Sequence, residues 1–72
     1  MTEFKDHLRE IRKSKKFSQK DVAVATGTSI RNYQSFEYGE IKPSFDTLIA
    51  LADYFDVSLD YLVGRSDDPA RR

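Results

Sequence analysis

Apolar residues along this chain recur at helical spacing, and nowhere do they alternate with the period of two that a half-buried strand requires. Phe4, Leu8 and Ile11 fall at i, i+4 and i+7, which predicts a first helix over residues 2–15. Thr2 is placed to cap it, Glu3 lies near its positive end, and Lys13, Lys15 and Lys16 lie near its negative end. His7 borders the apolar stripe and reads as a partly buried structural histidine. A second helix over residues 19–26 is capped by Ser18 and buries Val22, Ala23 and Thr26, with Val24 and Ala25 turned outward. A third, over residues 29–37, starts at Thr28 or Ser29 and stops at Gly39. Pro43 forces extended backbone on the residue before it. Ser44 then caps a fourth helix, whose Phe45, Leu48, Ile49, Ala52 and Phe55 form the predicted buried stripe. Leu51 and Tyr54 widen that stripe beyond what a monomer needs. Ser58 caps a short last helix over residues 59–63, stopped by Gly64. Leu59 and Leu62 form its core pair, and Tyr61 and Val63 are left over. The reading is all-α: one compact five-helix domain over residues 1–64, followed by a tail, 65–72, that has nothing to bury and is expected to be disordered.

The stretch 18–39 organises the rest. Gly27 can take the left-handed conformation that ends a helix without steric penalty, and the small Ala23 precedes it by four residues. Two helices that meet steeply over a connection of about 3–4 residues need these devices, so the stretch reads as a helix-turn-helix. At about 100° per residue, Ile30, Arg31, Gln34 and Ser35 share one arc of the third helix, and Tyr33 and Phe36 lie on the opposite, core-facing side. The outward set suits a helix presented to the major groove of DNA. Arg31 can bond guanine at two points, Gln34 suits adenine, and Ile30 can pack on a thymine methyl.

Composition narrows the alternatives. A chain of 72 residues is one domain with a small core. No apolar run is long enough to span a bilayer, and no signal-peptide architecture is read, so a cytoplasmic protein without a membrane partner is expected. Without cysteine there are no disulfides or thiolate metal sites, and one histidine cannot build a metal centre. Nor is there a paired nucleophile and base, a phosphate-binding glycine loop or a ligand cluster, so neither an enzyme nor a cofactor nor a small-molecule ligand is expected. Formal net charge is zero. Its distribution is uneven: residues 1–42 carry nine Lys and Arg against six Asp and Glu, whereas residues 43–72 carry three against six. Arg9, Arg12, Lys13, Lys15, Lys16 and Lys20 cluster near the start of the helix-turn-helix, which marks a phosphate-facing side.

These residues also carry a resemblance. Arg12, Ser18-Gln19, Ala23, Gly27, Ser29, Glu37, Gly39 and Pro43, then Leu48, Leu51-Ala52 and Val57 to Gly64, resemble in order and spacing the Xre or Cro/CI-type helix-turn-helix family. The resemblance implies a lambda-repressor-like five-helix domain that acts as a homodimer on double-stranded DNA, usually as a repressor on a near-palindromic operator. It implies base contacts from Ile30, Arg31, Gln34 and Ser35, and backbone contacts from Gln19, Lys20, Ser29, Asn32, Tyr38 and Lys42. It also implies an ion pair between Arg12 and Glu37 that ties the first helix to the end of the third. The chain departs from the family at Thr26, where leucine is usual, and at Thr28, where valine or isoleucine is usual. It departs again at Ile30 and Tyr38, both commonly polar, and at Tyr33, which is commonly a smaller aliphatic.

The surplus apolar residues Leu51, Tyr54, Tyr61 and Val63 predict a dimer interface through the C-terminal helices. They also motivate an alternative of a different class, a protein-interaction module (an antitoxin or adaptor) built on the same fold.

Overall fold

The computed structural model describes residues 3–70, which contain five helices: α1 (Phe4–Ser14), α2 (Gln19–Ala25), α3 (Ile30–Tyr38), α4 (Phe45–Phe55) and α5 (Leu59–Leu62). The expected cap Thr2 lies outside the described residues, and Glu3 precedes α1 without a side-chain capping bond. Each of the other four helices starts at a serine whose hydroxyl accepts a backbone N–H three residues on: Ser18, Ser29, Ser44 and Ser58. At α2 the exchange is reciprocal, because the Asp21 carboxylate also accepts from the Ser18 N–H at 3.1 Å. Such a box satisfies two donors that a helix start otherwise leaves open.

Side chains from every helix meet in one core. Leu8 and Ile11 of α1, Val22 and Ala23 of α2, and Tyr33 and Phe36 of α3 pack with Leu51, Ala52 and Phe55 of α4, Leu62 of α5 and Val57 of the α4–α5 turn. Phe17, the apolar anchor of the basic turn, packs at a tilt against Tyr54 with ring centroids 4.7 Å apart. His7 of α1 donates from Nε2 to the Tyr61 carbonyl at 2.7 Å and packs edge-on against the Tyr61 ring, so it ties α1 to α5.

The structure rotates α4 relative to the stripe predicted from its spacing. Leu51 is wholly buried, whereas Phe45 is 66% and Ile49 39% exposed. Leu51 is therefore a core residue and cannot line a dimer interface. Because α4 is apolar around most of its circumference, periodicity alone leaves its rotation open, and contact with α2 and α5 decides it. Tyr54 and Tyr61 are half-buried on Phe17 and His7, so much of their apolar surface is already covered within the chain. Residues 65–70 do not extend away from the domain. The Pro69 carbonyl accepts from the Ser58 N–H at 3.0 Å, and the Asp60 carbonyl accepts from the Arg65 N–H at 2.8 Å, which returns the chain to the start of α5.

Candidate nucleic-acid interface

The turn between α2 and α3 sets the geometry of the site. Gly27 takes a left-handed φ of 71°, and the Thr28 N–H closes on the Ala23 carbonyl at 3.0 Å. Thr26, half-buried where an apolar residue is usual, donates its hydroxyl to the Val22 carbonyl at 2.8 Å. Its polar atom is thereby satisfied on backbone, and the turn accommodates a threonine without a buried unpaired group. Gly39, at φ 79°, ends α3 in the same left-handed region.

The buried side of α3 consists of Tyr33, Phe36 and Glu37. Glu37 is only 1% exposed, and its partner Arg12 has a side chain 12% exposed. Arg12 donates Nε–H to one carboxylate oxygen at 2.6 Å and an Nη–H to the other at 3.1 Å. A further Arg12 donor reaches the Phe17 carbonyl at 3.0 Å, which fastens α1 and the basic turn to the end of α3. Burial raises the Glu37 carboxyl, but the hydrogen bonds from Arg12 and Gln19, with the Tyr33 phenol close by, outweigh it and hold the group below the ordinary carboxylate range. The same pairing pushes the Arg12 guanidinium up. The Tyr33 phenol, buried beside this carboxylate, is pushed up by burial first and then by Glu37. Its hydroxyl has no partner at good hydrogen-bonding geometry.

The outer side carries the residues read from sequence as base-facing. Ile30 and Arg31 are exposed, and Gln34 and Ser35 are half-buried along the same face. Ser35 donates its hydroxyl to the Arg31 carbonyl at 3.1 Å, which leaves its oxygen as an acceptor. Ser29 accepts the Asn32 N–H, so its hydroxyl proton is the part left to face outward. Lys20, Asn32, Tyr38 and Lys42 are exposed. Gln19, by contrast, is half-buried between α2 and α3: it donates to Glu37 at 3.1 Å and accepts from Gln34 Nε2 at 3.2 Å. Sequence reasoning treats Gln19 and Gln34 as separate DNA contacts. Their mutual hydrogen bond joins residues fifteen positions apart, and no linear spacing signals it.

A helix pair joined at a glycine turn, with the polar face of its second helix presented by a five-helix core, is a helix-turn-helix DNA-binding fold. The chain belongs to the helix-turn-helix family of Xre or Cro/CI type: the family model described as Helix-turn-helix matches residues 8–62. It is 39% identical over 62 residues to the uncharacterized HTH-type transcriptional regulator YobD of Bacillus subtilis, covering 86% of this chain and 55% of that protein. It is 34% identical over 61 residues to the cryptic phage CTXphi transcriptional repressor RstR of Vibrio cholerae, covering 85% and 54%. The chain thus spans about half the length of the curated relatives it matches. Among solved structures, the P22 c2 repressor in complex with a synthetic operator superposes with a TM-score of 0.84 at 26% identity, covering 92% of this chain and all of that one. The restriction-modification controller protein C.AhdI of Aeromonas hydrophila superposes with a TM-score of 0.79 at 29% identity, covering 82% and 89%.

Proposed function

We propose that this chain is a sequence-specific DNA-binding transcriptional regulator, a repressor that binds an inverted-repeat operator as a homodimer with α3 in the major groove. The observation that carries the reading is the rigid seating of α3. A buried, doubly hydrogen-bonded Arg12–Glu37 pair locks its inner side, while Ile30, Arg31, Gln34 and Ser35 share its outer face. Arg31 reads a guanine edge, Gln34 an adenine edge and Ile30 a thymine methyl, and Ser35 accepts from a base amino group. Gln19, Lys20, Ser29, Asn32, Tyr38 and Lys42 hold the sugar-phosphate backbone and set the register. Lys20 and Lys42 are the cations of that set, so few phosphates are neutralised and log affinity falls with log salt by about 0.9 per contact over a handful of contacts.

The homodimer reading rests on the apolar surface left at the C-terminal helices. Phe45 and Ile49 are exposed in place of the buried Leu51, and Tyr54, Tyr61 and Val63 each remain partly exposed. Repressors among the relatives and neighbours support the regulatory role. Selection of bound sequences from a randomised duplex pool at physiological salt tests it. Enrichment of an inverted repeat, with half-sites about one helical turn apart, is expected. No enrichment by the folded protein refutes the operator reading and favours a protein-interaction module.

A further inference from the structure

Four side chains form one continuous relay beneath the outer face of α3: Arg12, Glu37, Gln19 and Gln34. A carboxamide can be turned end for end with little change in shape, so a chain of two glutamines has no direction of its own. Glu37 supplies one. Its carboxylate is ionised, accepts hydrogen bonds only, and is fixed at both oxygens by Arg12. Gln19 must therefore turn its NH2 group toward Glu37 and its oxygen toward Gln34. Gln34 must in turn direct its NH2 group at that oxygen, which leaves its own carbonyl oxygen uncommitted.

We infer that Glu37, although buried and unable to touch DNA, is a specificity-determining positioning residue: it fixes the polarity of the Gln19–Gln34 relay and so the edge that Gln34 presents to a base. This rests on the DNA-binding reading above. A carbonyl acceptor with one remaining N–H beside it matches the N6 amino group and N7 of adenine. Guanine offers acceptors at both of these positions and is disfavoured. With the carboxylate replaced by a carboxamide the relay can run in either direction, and Gln34 then presents acceptor or donor alike.

The test measures base preference position by position, by selection and competition binding on randomised duplexes. Gln34→Ala identifies the base pair that Gln34 reads, where the unmutated protein is expected to select adenine on the contacted strand. Glu37→Gln is expected to flatten preference at that pair, from roughly tenfold or more to within about twofold, while the ranking elsewhere in the half-site persists. Gln19→Met, which cuts the relay from outside the core, should flatten the same pair and lower affinity on all duplexes. It decides the matter if Glu37→Gln fails to fold, as judged by circular dichroism. In the free proteins, the Gln34 side-chain amide resonances should shift in both variants. Unchanged preference at that pair in a folded variant overturns the inference. So does parallel flattening at every position, which marks Glu37 as a support for the fold alone. Selection of guanine at that pair overturns the assigned polarity. Absence of any selection by the unmutated protein instead refutes the DNA reading on which the inference stands.

Discussion

Replacing Arg12 by methionine isolates the buried ion pair. The substitution keeps most of the side-chain volume but removes three hydrogen bonds, two to Glu37 and one to the Phe17 carbonyl. It leaves a carboxylate that is 1% exposed with Gln19 as its one remaining donor of good geometry. Breaking a buried pair from one side costs about 3–5 kcal/mol, because the remaining charge is neither solvated nor paired. A domain of 72 residues has a total stability of about 4–11 kcal/mol, at about 0.05–0.15 kcal/mol per residue. Arg12→Met should therefore remove about a quarter or more of the stability, read as a lowered urea midpoint in far-ultraviolet circular dichroism. Removing the orphaned charge as well, in Arg12→Met/Glu37→Leu, should restore most of the loss. Acidity provides an independent check. In the unmutated protein the Glu37 carboxyl lies below its unfolded value of about 4.3. Its contribution to stability is then present above that value and is lost as pH falls through the folded one. Without Arg12, burial raises the carboxyl instead, so the variant gains stability relative to the unmutated protein as pH falls. The gap between the two should narrow in acid. A loss below about 1 kcal/mol near neutrality, the size of an exposed pair, would refute the burial argument, as would a double variant no better than the single one.

Three further outcomes follow from the same geometry. Arg31→Ala should cost about 1–3 kcal/mol of discrimination at one base pair per half-site in competition binding, and an equal loss on all duplexes would remove Arg31 from the base-reading set. Leu51→Ala should lower stability by about 2–5 kcal/mol through the cavity it leaves, whereas Phe45→Ala should leave thermal unfolding of the monomer nearly unchanged and weaken self-association in sedimentation. Gly39→Ala should cost about 1–2 kcal/mol in urea titration, mostly from its left-handed φ. The added methyl would meet only the end of the flexible Lys5 side chain, so steric overlap contributes little.

Local and periodic features were legible from the chain alone because their causes lie within a few residues of one another. A serine hydroxyl, a left-handed glycine and apolar residues at i, i+3 and i+4 act over one or two turns, and together they mark four capped helix starts and the Gly27 turn. The two arcs of α3 follow from 100° geometry in the same way. The Arg12–Glu37 pair, whose members lie twenty-five positions apart, follows from family resemblance rather than from spacing.

Tertiary packing decided what local geometry leaves degenerate. The rotation of α4 is one such case: a helix apolar on most sides has several admissible buried stripes, and only its neighbours choose Leu51 over Phe45 and Ile49. Val57 is another, a turn residue drawn into the core by the convergence of α4 and α5. The return of residues 65–70 to the start of α5 is a third. It depends on backbone groups of Ser58 and Asp60, which a reading based on side-chain hydrophobicity does not weigh. The amide relay under α3 is the last, because hydrogen bonds among Glu37, Gln19 and Gln34 exist only once α2 and α3 cross. Short-range sterics and periodicity thus determined which helices form and which face of α3 turns outward, while long-range contact alone decided which apolar face of α4 is buried and how Gln34 is held.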